Sequence, residues 1–159
     1  MKITILCVGK VKEKFYRDAL GEFEKRLSRY CKLQIIEAAD EKTPDQASDI
    51  EVAQIKEREG EKLLKSIKED GYVICLAIDG KQLDSVELSD TINRLGVHGT
   101  SHIYFVIGGS LGLSDQVLKK ADYKLSFSKM TFPHQLMRVI LLEQIYRSYR
   151  IINHEPYHK

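Results

Sequence analysis

The residues best suited to chemistry lie in the last third of the sequence, in two loops that each follow an apolar segment. Gly108, Gly109 and Gly112 come directly after an apolar run, and three glycines in five positions allow a sharp turn and close backbone approach to a ligand. A polar loop over 128–131 follows a second apolar run, 123–127. Open α/β sheets bind ligands beyond the carboxyl ends of their strands. The pattern predicts a ligand site between these loops; the alternative is a turn and a plain connection with no ligand.

Known phosphate-binding and metal motifs are absent. The run GGSLG lacks the G-x-G-x-x-G spacing, and the Gly-Lys-Ser/Thr of a P-loop is missing, so binding of NAD or a nucleoside triphosphate is poorly supported. Cys7, Cys31 and Cys75 lack metal-type spacing, and two of them lie inside apolar segments. We therefore expect no metal, no disulfide and a reducing, cytoplasmic environment.

Four side chains could move a proton: His134, His154, Tyr157 and His158. His134 follows Pro133 at the predicted start of the last helix, where the helix dipole disfavours a charged imidazole. Tyr157 and His158 lie in a C-terminal tail that has no apolar periodicity. The alternatives are that His134 is a surface or capping residue and that the tail is a dispensable terminus.

Basic residues are concentrated at the two ends of the chain. Residues 1–36 contain nine basic and four acidic side chains, residues 119–159 contain eight and three, and the segment between them is acidic. If the fold brings the ends together, they would form a phosphate-binding surface. The candidates for substrate contact are Arg17, Lys25, Lys129 and Arg138. The alternative is solvated helix faces.

Apolar segments alternate with segments of helical period, which predicts an α/β fold: one domain over 1–159, with a mostly parallel sheet flanked by helices. The predicted strands are 2–8, 33–38, 72–78, 102–107 and 123–127. The predicted helices are 13–30, 50–68, one from 85 or 86 to near 96, a short helix capped by Ser114, and a long helix with Pro133 in its first turn. The long helix is apolar on more than one stripe, which predicts a homodimer through it. No apolar run is long enough to span a membrane.

Three stretches together resemble the SPOUT methyltransferases: GGSLG after an apolar strand, LSFSKMTFPHQLMRVILLEQIYR, and the ending NHEPYHK. The resemblance covers the whole chain and is strongest to members that methylate N3 of a pseudouridine in 23S ribosomal RNA. It implies S-adenosylmethionine as cofactor, a homodimer, a trefoil α/β knot in the C-terminal part, and RNA of the large subunit or the assembled ribosome as substrate. The alternatives are a non-catalytic α/β RNA-binding protein and a nucleotide-binding enzyme of another class.

The resemblance also assigns roles to particular residues. The positions that match the family's cofactor-binding residues are Leu76, Gly108, Phe127, Ser128, Lys129, Met130, Thr131 and Phe132. Tyr157 and His158 match its terminal motif. An imide N3 must lose a proton to be methylated, so a base is expected among His134, Tyr157 and His158. Taken alone, Leu76 would also suit a core, Met130 a packing gap, and Ser128 or Thr131 a helix cap.

Overall fold

A computed structural model describes all residues, 1–159, as five strands alternating with five helices. The strands are β1 Lys2–Val8, β2 Lys32–Ala38, β3 Tyr72–Gln82, β4 His102–Ile107 and β5 Tyr123–Ser126. The helices are α1 Lys14–Leu27, α2 Asp49–Leu64, α3 Ser85–Val97, α4 Asp115–Lys120 and α5 His134–Ile152. The predicted α/β element order is confirmed.

The strands form one sheet in the order β2-β1-β4-β3-β5, and every neighbouring pair is parallel. Helices α1, α3 and α5 cover one face, and α2 and α4 cover the other. The middle strands are apolar on both sides because both faces are covered; residues 103–107 of β4 are all buried. Since β5 returns to the edge beyond β3, the last two strands are not sheet neighbours, an order compatible with a knotted C-terminal part.

Helix α2 begins one residue earlier than predicted, and its Gly60 has a role in packing. It begins at Asp49 because the Ser48 hydroxyl accepts from the Glu51 amide while the Glu51 side chain accepts from the Ser48 amide. Gly60, which the sequence suggests would weaken the helix, allows α2 to approach α4 closely. A Cβ at this position would lie 2.5 Å from the Ser114 hydroxyl.

Strand β3 runs four residues further than predicted and contains an irregularity. Its pairing with β5 shifts register between Leu76 and Lys81, so residues 77–80 bow away from the ladder. Gly80 is required there because a Cβ would lie 2.8 Å from the carbonyl group of Lys124. The bulge directs residues 77 and 78 toward the carboxyl edge of the sheet.

Helix α5 packs between α1 and α3 of its own chain. Leu141, Leu142 and Ile145 are fully buried within the protomer, whereas Val139 and Ile140 stay partly exposed. The apolar surface left over for a partner is therefore smaller than the sequence suggests. None of the helices is long and apolar enough to cross a membrane.

Candidate active site

A cavity of about 610 Å³ opens at the carboxyl ends of β3, β4 and β5. Three segments form it: the β3 bulge at 76–78, the glycine turn at 108–112, and the loop and first residues of α5 at 126–134. The structure thus brings the two predicted loops together at one edge of the sheet. The volume lies within the range of small-molecule sites, roughly 300–1,000 Å³.

Seven of the eight residues that the resemblance assigns to the cofactor line this cavity: Leu76, Gly108, Phe127, Ser128, Met130, Thr131 and Phe132. Lys129 does not; its side chain is exposed beside them. Sequence reasoning missed Ile78, which lines the cavity because of the β3 bulge. The signal that could have revealed it was Gly80 inside a strand pattern, since an isolated glycine there often marks a bulge.

No Lys, Arg, Asp or Glu side chain lines the cavity. Its walls are apolar side chains together with the backbone of the glycine turn and the hydroxyl groups of the 126–131 segment. This composition fits S-adenosylmethionine, because the adenine needs apolar walls with backbone donors and acceptors, and the positively charged sulfur is repelled by nearby cations.

The two ends of the glycine turn, Gly108 and Gly112, lie very close together. A Cβ at Gly108 would lie 2.6 Å from the carbonyl carbon of Gly112, which has a φ of +87°, and the Gly112 amide donates to the Gly109 carbonyl at 3.1 Å. Gly108 is therefore required for the closure of the turn, which agrees with the sharp turn that the sequence predicts.

Buried Glu59 lies next to Gly109 of this turn. One of its carboxylate oxygens accepts from the Glu41 amide at 3.0 Å, and the other lies 3.3 Å from where a Cβ of Gly109 would be. Burial raises the pKa of Glu59, which the hydrogen bond from Glu41 partly offsets. Sequence reasoning gave Glu59 no role, because a glutamate in a charged helix looks solvated.

The loop after β5 is held by its own hydroxyl groups. The Ser126 hydroxyl donates to the Ser128 carbonyl at 3.1 Å, and the Ser128 hydroxyl accepts from the Met130 amide at 3.0 Å. Helix α5 has Pro133 at its N-cap and no side-chain cap, so neither Ser128 nor Thr131 caps it. Met130 is 73% exposed and so fills no packing gap.

His134 lies at the first residue of α5, between this cavity and a second, polar cavity. Burial lowers the pKa of His134, and the neighbouring Arg138 guanidinium lowers it further. Its Nδ1 is sealed from solvent without a hydrogen-bond partner. The ring is thus neutral near neutral pH and can accept a proton.

Arg138 is not available to a substrate, which corrects the prediction from charge. Its side chain is 1% exposed, pairs with Glu37 at 2.7 Å, and donates to the carbonyl groups of Val8 and Gly9 at 3.0 and 2.7 Å. It fastens α5 to the carboxyl ends of β1 and β2. The other predicted substrate-binding cations, Arg17, Lys25 and Lys129, are exposed.

The C-terminal tail is docked on α5 and on the turn that follows α1, away from the cavity of its own chain. The Tyr157 hydroxyl donates to Glu143 at 3.0 Å, and the His158 Nδ1 lies 3.1 Å from an Arg147 nitrogen. Arg147 is ten residues beyond Met137, which lines the cavity; at 1.5 Å per residue this is about 15 Å along α5. The tail therefore does not fold over its own site.

The chemistry of the docked tail is also specific. Guanidinium groups only donate, so His158 Nδ1 accepts from Arg147, which places a proton on Nε2 of the neutral ring. Burial and the hydrogen bond to Glu143 raise the pKa of Tyr157. His158 thus offers a hydrogen-bond donor rather than a base, and the single Tyr157 proton is already donated to Glu143.

Comparisons with known proteins agree with this geometry. Residues 1–158 match a family model described as "Predicted SPOUT methyltransferase". Two proteins named "Ribosomal RNA large subunit methyltransferase H" are similar over 100% of both chains: that of Bifidobacterium adolescentis at 67% identity and that of Clostridium tetani at 62%. Among solved structures, a probable methylase family protein from Haemophilus influenzae aligns with a TM-score of 0.57 at 13% identity, over 99% of this chain and 70% of that one. The last likeness shows the fold alone.

Proposed function

The chain belongs to the SPOUT methyltransferase family, and on that basis we propose that it transfers a methyl group from S-adenosylmethionine to RNA of the large ribosomal subunit. The acceptor expected from the resemblance is N3 of a pseudouridine in 23S ribosomal RNA. The RNA class is supported by relatives that cover the whole chain at 62–67% identity and are named ribosomal RNA large subunit methyltransferases.

One observation carries the proposal most: the cavity of uncharged walls at the carboxyl ends of β3, β4 and β5. A nucleoside triphosphate or NAD site is disfavoured because the chain has neither a P-loop nor the G-x-G-x-x-G spacing, and no Lys or Arg lines this cavity. An adenosine with a sulfonium centre needs no such cations. Leu76 and the glycine turn would hold the adenosine, and the hydroxyl groups of 126–131 would hold the amino-acid end.

When bound, the cofactor supplies a methyl carbon already activated by its positively charged sulfur. The chain's own work is then mostly positioning, because in-line alignment of acceptor and methyl group removes much of the barrier. The acceptor nitrogen carries a proton that would have to leave as the nitrogen takes up the methyl group. His134, neutral and next to the cavity, is the residue of this chain that receives the proton.

We also propose that the active unit is a homodimer in which the tail of one protomer reaches the cavity of its partner. In its own chain the tail is held on α5, with Tyr157 at Glu143 and His158 at Arg147, roughly 9 and 15 Å along the helix from Met137, so we assign the contact of these side chains with a reacting base to the partner's site. There the His158 Nε2 proton and the Tyr157 ring would orient the base by hydrogen bonding and stacking. The partly exposed Val139 and Ile140 of α5 are candidates for the surface that pairs the protomers.

Calorimetry with S-adenosylmethionine and S-adenosylhomocysteine tests the cofactor assignment. We expect one site per chain in the wild type, with affinity lost in Gly108→Val. Binding that is unchanged in this variant would remove the glycine turn from the cofactor site.

Mixed dimers test the tail. A chain that ends at Glu155 and a Gly108→Val chain should each be inactive alone and should regain activity when mixed, because one intact tail then serves one intact cavity. Light scattering that shows a stable monomer at micromolar concentration would contradict the dimer.

A further inference from the structure

A second cavity, of about 370 Å³, lies at the carboxyl ends of β1 and β2, directly beside the cofactor cavity. Its walls come from the turn after β1, the residues that follow β2, and the start of α5. His134 lines both cavities and is the residue at which they meet. The two form one crevice along the carboxyl edge of the sheet.

The second cavity differs from the first in its chemistry. Its side chains include two lysines, three carboxylates and an amide: Lys10, Lys12, Glu13, Glu37, Asp40 and Gln135. Of these side chains only Glu37 has a partner within the chain, the Arg138 guanidinium. With Glu37 neutralised in this way, the remaining two acids and two lysines balance. Such a wall does not trap an anion, but it offers both hydrogen-bond donors and acceptors that have no partner in the protein.

Buried Arg138 holds the walls of this cavity in place. Its guanidinium group donates hydrogen bonds to the carbonyl groups of Val8 and Gly9 and to the Glu37 carboxylate, and so links α5 to these residues. Gly9 has a φ of +86°, and a Cβ there would lie 3.5 Å from the His134 ring. A side chain at this position would be strained by that φ, whereas its Cβ would make only an ordinary van der Waals contact with the ring, so the backbone conformation of the turn is what favours glycine.

We propose that this second cavity receives the flipped-out, uracil-type base of the target nucleotide, with His134 between the base and the methyl group. The inference rests on the proposed function and adds the place of the acceptor. Near-attack geometry requires the acceptor atom within roughly 3–3.5 Å of the methyl carbon, so the base must occupy space adjoining the cofactor cavity.

The chemistry of such a base matches the walls. A uracil-type ring is uncharged and carries both N–H donors and carbonyl acceptors, which pair with the Asp40 carboxylate and the Gln135 amide. A base that is reached by an enzyme must leave the stack and enter a pocket that reads its edge. The exposed Lys10 and Lys12 at the mouth are placed for the flanking phosphates.

The test is the double variant Asp40→Ala/Gln135→Ala, with Asp45→Ala/Gln46→Ala as a matched control in the exposed loop after β2, outside both cavities. The Asp40 and Gln135 side chains make no hydrogen bond within the chain, so their loss should leave the fold intact. We expect cofactor affinity within about twofold of wild type, and kcat/KM for large ribosomal subunits lowered about 10- to 100-fold, as for loss of one or two base-edge contacts. The control should match wild type.

The outcomes separate the two proposals. If the wild type transfers no methyl group to ribosomal RNA, the proposed function fails. If the wild type is active and the double variant keeps kcat/KM within about twofold, the cavity is not the base site while the proposed function stands.

Binding of free uridine to the protein loaded with S-adenosylhomocysteine gives an independent measurement. Its NMR titration should shift the His134 ring signals in the wild type and the control but not in the double variant. Equal shifts in all three proteins would overturn the assignment.

Discussion

Replacing Arg138 separates two roles for a basic residue in the last helix. The sequence predicted a phosphate contact, for which Arg138→Leu would weaken RNA binding and leave stability unchanged. The structure makes Arg138 a buried clamp with three hydrogen bonds, to Glu37, Val8 and Gly9. The two roles therefore predict different free energies of unfolding.

The magnitude follows from the contacts. Breaking a buried ion pair costs about 3–5 kcal/mol, and a hydrogen bond to a charged group contributes about 1.5–3 kcal/mol. The Glu37 side chain is 36% exposed and can be hydrated after the change, so the lower end of these ranges applies. We expect Arg138→Leu to lower the free energy of unfolding by about 3 kcal/mol, and Tm by roughly 6–12 °C for a chain of this size.

Urea unfolding followed by circular dichroism measures this change. Arg138→Lys keeps the charge but cannot reproduce the planar fork, so it should also destabilise, by somewhat less. Arg17→Leu, at an exposed position, is the control and should stay within about 0.5 kcal/mol of wild type. An Arg138→Leu protein as stable as wild type, with weakened RNA binding, would refute the clamp.

Three further changes test the site and the tail. Gly108→Ala should lower cofactor affinity at least about tenfold in calorimetry, because its Cβ would meet the Gly112 backbone. The control Gly21→Ala, with no atom near its Cβ, should keep cofactor affinity and leave the free energy of unfolding unchanged or raise it by up to about 1 kcal/mol. Equal cofactor affinity in both variants would contradict the tight turn. Burial raises the pKa of Glu59 above 4.5, so its protonated form favours the fold and its contribution to stability is lost as pH rises through the raised pKa. Glu59→Gln should therefore gain stability relative to wild type between about pH 4.5 and 7 in parallel urea titrations, and a constant difference would argue against a raised pKa. Removal of 156–159 should keep the fold and cofactor affinity but slow methyl transfer by roughly 10²-fold, because the acceptor base would lose groups that position it; near-full turnover would exclude a role of the tail in methyl transfer.

The sequence predicted the elements and the loops of the site well because local pattern determines them. The runs of β-branched and aromatic residues in β1, β3 and β4 are buried on both faces of the sheet, as their continuous apolar pattern indicates. The glycine turn follows β4 and the polar loop follows β5, and parallel strands bring their carboxyl ends to one edge.

Features that depend on distant partners were beyond local pattern. Arg138 looked like a surface cation because its partner Glu37 is 101 residues away in the chain. The predicted strand stopped at residue 78, short of the bulge, because Asp79-Gly80 is a common turn dipeptide. The tail's direction depends on Arg147 and Glu143, which lie on a face of α5 that periodicity alone assigns to no particular neighbour.

The central claim is tested most directly by transfer of tritiated methyl groups from S-adenosylmethionine to large ribosomal subunits from a strain that lacks the enzyme, followed by nucleoside analysis of the RNA. We expect that a single methyl group is incorporated per subunit, on a pseudouridine at N3, and that transfer weakens as the salt concentration is raised. Absence of transfer to subunits, whole ribosomes and naked RNA, by a protein that binds the cofactor at full stoichiometry, would contradict it.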